Sequence, residues 1–311
     1  MNGPMNGYAP EQIQLYFRHI GLPADDYHSR IKADPLGFLT TLMHRHLARI
    51  PFDSLALHYS PHRTLSLHPQ ALFHKLVVRG RGGYCMEVNT FFATVLRTLG
   101  YTLYSAGGRV SVGGVRSGWN HMLNLVTIND TRYVVDVGFG SNDMLHPVPL
   151  KDGEFDLIAP VRGKLEYRAL AHHSDPSQRV WVYSVQQSEH APWEDMYSFV
   201  EVEFFPEDFQ VMNMPTSSAP QSFFVQNVMC MRVLLKEGMD EPEGLIILHR
   251  DYVKRRVGDN VEILQTLQTE EDRLKVLQEW FSITLGEDEK AAIRGFPSEL
   301  RRKPPPGVGH A

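Results

Sequence analysis

Cysteine is scarce in this sequence. Two cysteines among 311 residues, Cys85 and Cys230, can build neither a disulfide framework nor a cysteine-rich zinc centre. No metal is expected, and two free thiols suit a reducing, cytoplasmic compartment. Apolar runs long enough to cross a bilayer are missing as well. The start, MNGPMNGYAPEQ, has no basic stretch followed by an apolar one, so neither a secretory leader nor a membrane partner is expected. Excess positive charge is also absent. Lys and Arg number 31 against 36 Asp and Glu, a net charge of −5, which argues against nucleic acid as a partner. The one basic cluster, Arg301-Arg302-Lys303, precedes PPPGVGHA and reads as the start of a solvated, disordered tail. There is no repeat of fixed period. Neither phosphate-binding glycine signature occurs, so the pairs at 107–108 and 113–114 read as loop and bulge glycines.

The composition, 42% hydrophobic and 22% charged, is that of a globular chain, and its length suits two or three units sharing a core. Up to Leu99 the pattern is helical. Ile13, Tyr16, Phe17 and Ile20 repeat at helical spacing, as do Leu39, Leu42, Met43 and Leu47 after Pro35. A third helix is expected from about Cys85 to Leu99, with Gly100 as its stop. Beyond Gly100 the period becomes two. YTLYSAGGRVSV, HMLNLVTI, RYVVDVGF, LEYRALAH, QRVWVYSVQQ and MYSFVEVEFF read as strands of an antiparallel sheet or barrel. EDFQVMNMPTSSAP reads as a short helix and polar loop. SFFVQNVMCMRVLL, EGLIILHRDYVKRRV and VEILQTL read as further strands, and Thr269 opens a last helix through a capping box with Asp272, Leu274, Leu277, Trp280 and Phe281 facing inward. The fold class is therefore α+β: a helical bundle over 1–100, a β-barrel over 101–210, and a small α/β unit with the tail over 211–311.

Chemistry concentrates around RGGYC, residues 81–85. Cys85 falls at a helix N-terminus, where unpaired N–H groups and the macrodipole favour a thiolate, and Gly82 and Gly83 allow a sharp turn with positive φ. This suits a nucleophile, although a buried free cysteine is often only a small hydrophobe, the reading that fits Cys230 in its apolar strand. Residues 119–140 form a hairpin turned at Asn129-Asp130. His121 then faces Gly138 and Leu123 faces Asp136, which makes His121 and Asp136 diagonal neighbours on one face, roughly 7–8 Å apart at the backbone. A carboxylate inside YVVDVGF needs a partner, which His121 supplies. The pair is either a satisfied core contact or, joined to Cys85, the base and orienter of a thiol nucleophile.

RGGYCMEVN, NHMLNLV and VVDVGFG, in that order, resemble the arylamine N-acetyltransferases. IPFDSL at 50–55 and MYSFVEVEFFPEDFQVMN at 196–213 extend the likeness to roughly residues 10–285. The resemblance implies a helical bundle, β-barrel and α/β lid with a papain-like triad of Cys85 as acyl acceptor, His121 as proton partner and Asp136 as orienter. It implies coenzyme A contacts at Ser117 and Gly118, and an acceptor pocket at Phe52, Val110, Phe139 and Ser141. Asp53 stands where the family has glutamate, as the partner of Arg81, and Asp143 replaces an aromatic residue of vertebrate members, which makes the pocket more polar.

The expected reaction is ping-pong transfer from acetyl-CoA, or another acyl-CoA, through acyl-Cys85 to an arylamine or hydrazine. The Cys85 N–H and the backbone near Asn120 are the expected oxyanion donors. A Cys–His–Asp hydrolase or transglutaminase-like enzyme uses the same groups, and an inactive scaffold is a further alternative. A malonyl or propionyl donor is the alternative to acetyl. Malonyl needs a cation such as Arg109 or Arg116, the latter placed in the loop before His121. Strand alternation puts Arg109 opposite Val110 and favours acetyl.

Overall fold

The computed structural model describes residues 7–301 apart from 24, 113 and 114. The proline-rich tail and the glycine pair 113–114 lie outside the described residues. The first expected helices are α1, Pro10–His19, and α3, Pro35–Arg49, separated by α2, Tyr27–Ala33. Asp34 caps α3 by accepting the Gly37 N–H at 2.9 Å, with Pro35 in the first turn as expected. The short α2 buries no residue, so it carried no apolar stripe to read. A two-residue strand, β1 (Phe52–Asp53), precedes α4 (Leu55–His58) and α5 (Pro69–Phe73), which continues as a π-turn over His74–Val78. Then comes α6, Cys85–Thr98, closed by Gly100 at φ 91°.

The strands β2 (Thr102–Val112), β3 (Val115–Arg116), β4 (His121–Ile128), β5 (Thr131–Val135), β6 (Val148–Pro149), β7 (Gly153–Asp156), β8 (Arg162–Arg168), β9 (Val180–Gln186) and β10 (Trp193–Phe199) follow. Eight of them run in the order β6-β5-β4-β2-β10-β9-β8-β7, all antiparallel, and curl into a nearly closed barrel, with β3 hung on β2. Leu123, Leu125, Val134, Tyr183 and Tyr197 fill its interior. Met122 and Val126, on the other face of β4, pack toward the helices. The two faces of one strand thus serve two cores.

After the barrel come α7 (Pro206–Ser218), α8 (Phe223–Gln226), β11 (Met229–Leu235), β12 (Pro242–His249), β13 (Tyr252–Val257), β14 (Asn260–Thr266), α9 (Glu270–Phe281) and α10 (Glu287–Ala292). Three expectations are corrected here. Helix α7 continues through Pro215 where a polar loop was expected, because the hydroxyls of Thr216, Ser217 and Ser218 donate to the carbonyls of Met212, Asn213 and Met214. SFFVQN begins as helix α8 rather than strand. EGLIILHRDYVKRRV is two strands, turned at Arg250, whose φ is 56°. The second sheet runs β1-β11-β12-β13-β14, so Phe52 and Asp53 pair with Met231 and Cys230 far along the chain.

Helix α9 has the expected cap, Thr269 accepting from Asp272 N at 3.2 Å. Leu277 and Phe281 are buried, while Leu274 and Trp280 are only partly so. The unexpected member of its inner face is Arg273, 1% exposed, which binds Glu270 at 2.6 Å and donates to Tyr59 Oη and the carbonyls of Arg250 and Ser298. One guanidinium thereby ties α9 to the 250 turn and to the 298–300 segment. Replacing Arg273 by Ala takes this donor from two carbonyls and the ion-pair partner from Glu270, which keeps only Tyr59 Oη and Leu300 N. It is expected to lower stability by about 3–5 kcal/mol, read from the urea unfolding midpoint.

Candidate active site

The approach to Cys85 depends on close packing. Gly83 bridges Phe52 of β1 in parallel, with Asp53 N donating to Gly83 O at 3.0 Å. A Cβ on Gly82 would lie 2.0 Å from Pro51 O and 2.3 Å from Asp53 Oδ2. Neither glycine has positive φ. Gly82 is needed for contact with β1 and Gly83 for the Glu87 side chain, whose Oε2 a Cβ there would meet at 2.7 Å, not for the turn geometry expected from sequence. Tyr84 is the extended N-cap and Cys85 the first residue of α6. Glu87 accepts from Tyr84 N at 3.3 Å and from Lys75 Nζ at 2.6 Å, which fixes the first turn.

The β4–β5 hairpin has the register expected, Asn124 opposite Val135 and Ile128 opposite Thr131, with Asn129 and Asp130 both at positive φ, 47° and 62°. The expected strand RYVVDVGF stops at Val135, however, and Asp136 turns out of the ladder. This brings its Oδ2 to 2.7 Å from His121 Nε2. His121 begins β4 opposite Gly108. Cys85 is buried and its sulfur contacts the imidazole; its Sγ lies 3.8 Å from Asn120 O. A Cβ on Gly138 would come within 2.8 Å of Cys85 Cα, so this glycine lets the barrel touch α6.

Asp136 is wholly buried, and four groups donate to it: His121, Tyr197 Oη at 2.9 Å, Asn89 Nδ2 at 2.9 Å and Gly138 N at 2.9 Å. Burial opposes its ionisation, but the His121 charge and these hydrogen bonds hold its carboxyl below the usual range. Burial likewise opposes a charged His121, yet Asp136 and then the Cys85 sulfur raise the imidazole to about 10. Asn89 and Tyr197 were missed in the sequence. Asn89 lies one turn after Cys85 and also donates to Met122 O at 2.7 Å while accepting Val137 N at 3.1 Å. A polar residue at that spacing, flanked by buried apolar ones, was the available signal.

The other expected residues fall in several places. Ser117 closes a turn onto β2, its Oγ 2.7 Å from Asn120 Oδ1 and its N donating to Val110 O at 2.9 Å, and Gly118 is exposed. Asn120 N donates to Gly108 O at 3.1 Å, so the backbone there offers Cys85 a carbonyl rather than the expected oxyanion donor. Val110 pairs with Tyr197, and the Phe139 ring lies 5.1 Å from His121 and 4.9 Å from Tyr197, so these two gather at the His–Asp pair. Ser141 is half-buried in the 140–142 turn. Phe52 packs against Phe224 and, with Gly140 and Asp143, borders a void of about 10 Å³. Asp143 is buried and accepts the Phe139 N–H, bracing the turn. Burial, then the Asp136 charge, keeps its carboxyl well above the usual range.

Arg81 does not pair with Asp53. It binds Glu289 of α10 at 2.9 Å and Thr284 O at 2.7 Å, while Asp53 Oδ1 accepts Leu55 N at 2.9 Å. Arg109 is exposed, its guanidinium 4.2 Å from the Trp119 ring centre, and it pairs with Ser198 on the strand face away from Val110. Arg116 lies in β3 rather than a loop, and its side chain is outside the described residues. Gly107 and Gly108 continue β2 in register instead of bulging. Gly107 makes room for the Phe204 ring, which a Cβ there would meet at 2.3 Å. Cys230 is fully buried in β11, and burial pushes its thiol up. Among the described residues no cluster of His, Cys, Asp and Glu could hold a metal ion, and no helix is long and apolar enough to cross a membrane.

Residues 35–290 match the family model described as N-acetyltransferase. The chain is 37% identical over 324 residues to N-malonyltransferase FDB2 of Fusarium pseudograminearum, covering 94% of each. It is 30% identical over 287 residues to arylamine N-acetyltransferase 2 of Mus musculus, covering 88% of this chain and 94% of that one. The Mycobacterium marinum arylamine N-acetyltransferase solved in complex with CoA superposes with a TM-score of 0.73 at 25% identity, over 91% of this chain and 97% of that one. The chain is a transferase, one that moves an acyl group from acyl-CoA to nitrogen. It belongs to the arylamine N-acetyltransferase family.

The His121–Asp136 pair sets a pH signature. The raised imidazole contributes stability fully below its unfolded value of about 6.5 and loses it as pH rises toward about 10. The depressed Asp136 contributes fully above about 3.9 and loses it in acid. The stability gap between wild type and Asp136→Asn, from urea unfolding, is expected to be widest between about pH 4 and 6.5 and to narrow on both sides. A gap that stays constant with pH would mean that the two groups are not a charged pair.

Proposed function

We propose that Cys85 carries the acyl group, with His121 as its proton partner and Asp136 as the group that orients the imidazole. The observation behind this is the buried Asp136 bonded to His121 at 2.7 Å, with the imidazole against the Cys85 sulfur. The Cys85 sulfur attacks the thioester carbonyl while its proton resides on His121. The C–S bond to coenzyme A breaks, and the departing thiolate takes that proton. The acyl-cysteine is then attacked by an arylamine or hydrazine nitrogen. His121 accepts a proton from the nitrogen and returns it to the Cys85 sulfur as the C–S bond breaks. The Cys85 N–H, in the first turn of α6, has no helix carbonyl behind it and serves as an oxyanion donor.

Intact-mass spectrometry after mixing with acyl-CoA thioesters tests the assignment. One acyl increment on wild type and none on Cys85→Ser is expected, with amine transfer lost in that variant. Residual transfer within about tenfold of wild type would sink the nucleophile assignment. A hydrolase would release the acyl group quickly without amine, whereas a transferase retains it. Both thiols are buried, but among the described residues only Cys85 has an imidazole beside it to take its proton, so iodoacetamide is expected to alkylate Cys85 well ahead of Cys230.

For the acyl group the reading moves from acetyl to malonyl. The supporting observation is the relative at 37% identity over 94% of the chain, an N-malonyltransferase. The terminal carboxylate needs a cation, and Arg109, beside the strand partner of His121, is the one proposed. The position of Arg109 on the face opposite Val110 weighs the other way. With one arylamine, kcat/KM for malonyl-CoA is expected to exceed that for acetyl-CoA by about tenfold or more, and Arg109→Ala to erase the preference. Equal or reversed ratios in wild type would return the assignment to acetyl.

A further inference from the structure

Behind the Arg81–Cys85 loop lies a second cavity of about 370 Å³, within the roughly 300–1,000 Å³ typical of small-molecule sites. It is enclosed by α4, residues 60–66, α5 with its π-turn, and α10. Cys85, His121 and Asp136 do not line it. Its charges fall into two clusters. One, the floor, holds two buried carboxylates, Asp53 and Glu87, against one ammonium, Lys75, which is bound to Glu87 at 2.6 Å. The other, the rim, holds two guanidinium groups, the half-exposed Arg79 and the more buried Arg81, against one carboxylate, Glu289, at 2.8 and 2.9 Å. The floor therefore has one negative charge in excess and the rim one positive charge in excess.

Two buried atoms mark the same ends. Asp53 Oδ2 accepts no hydrogen bond, and Arg81 Nε donates none, among the described residues. Buried polar atoms without partners are rare in native proteins and ask for an explanation. The rest of the wall mixes apolar side chains, among them Leu55, Tyr59, Leu65 and Leu285, with polar ones that include His62 and His74. An anion alone would leave Asp53 unmatched, and an amine alone would leave the rim guanidiniums in excess.

We propose that this cavity binds a small zwitterion, an α-amino acid, with its ammonium toward Asp53, its carboxylate toward Arg79 and Arg81, and its side chain along the apolar part of the wall. Burial raises the Asp53 carboxyl to about 6, against the pull of Lys75, so at neutral pH it stands ionised in a site that disfavours its charge. A bound ammonium relieves that conflict.

Thermal-shift measurement on the full chain with each of the twenty proteinogenic L-amino acids, at about 10 mM, is the first test. At least one is expected to raise the melting temperature. By titration calorimetry, the decarboxylated amine and the deaminated acid of that compound are each expected to bind at least about tenfold more weakly. Asp53→Asn, which keeps the acceptor for Leu55 N, is expected to weaken the amino acid by about tenfold and leave the deaminated acid unchanged. Ala56→Phe, which fills the cavity without removing a charge, is expected to abolish binding. Should Asp53→Asn fail to fold, Arg79→Gln on the exposed rim is expected to weaken the amino acid and leave the decarboxylated amine unchanged. No shift with any amino acid would mean that the cavity holds only water and would overturn the proposal. Binding of inorganic phosphate as tight as that of the amino acid, or binding undiminished in Ala56→Phe, would overturn it too.

Discussion

A carboxylate with no access to water must be matched by donors on all sides, and Asp136 is so matched. Its four donors come from α6, β4, β10 and its own turn. Satisfying one charge therefore joins the helical bundle to two barrel strands. The same contact carries Gly138 against the Cys85 backbone, where any side chain would collide. The position of the thiol relative to the imidazole follows from how this carboxylate is satisfied. Asn89 shows the economy of the arrangement, since its amide also binds the backbone at Met122 and Val137 and so holds both strands that deliver His121 and Asp136.

Other buried carboxylates nearby resolve the same conflict differently. Burial and then the Asp136 charge outweigh the backbone N–H groups and the His121 charge at Asp143, so its proton is favoured. Glu87 is paired with Lys75 and caps its own helix. Asp53 has one oxygen satisfied by Leu55 N and one left over. Its expected partner, Arg81, is drawn instead to Glu289, which already binds Arg79. Three carboxylates thus find partners, while the fourth, Asp53, is only half satisfied beside an open cavity.

Membership of an acyl-CoA-dependent N-acyltransferase family fixes the type of bond made, a C–N bond from a thioester. It does not by itself choose the acyl group or the amine, because those depend on side chains around the thiol rather than on the barrel that carries it. In the proposed chemistry the burial of Cys85 and His121 strengthens their electrostatic coupling. The Ser117–Asn120 turn, bonded to β2, holds a carbonyl near the sulfur.

Local pattern carried much of this architecture. Helical spacing located α1, α3, α6 and α9, and the Asn129-Asp130 turn set the β4–β5 register, because these depend on neighbours a few residues apart. The place of Cys85 at a helix start and the pairing of His121 with Asp136 were legible too, since an isolated thiol after paired glycines and a carboxylate in an apolar run are both locally anomalous. Tertiary structure decided the rest. Where β5 ends and Asp136 turns inward depends on donors from α6 and β10, as does the part played by Asn89 and Tyr197. The switch of Arg81 from Asp53 to Glu289 depends on a helix some two hundred residues away. The requirement for glycine at 82 comes from β1 passing alongside, and the burial of Arg273 from carbonyls of two distant segments. Periodicity records which face of an element is apolar. It holds no information about which polar group from elsewhere in the chain will arrive to satisfy a buried one.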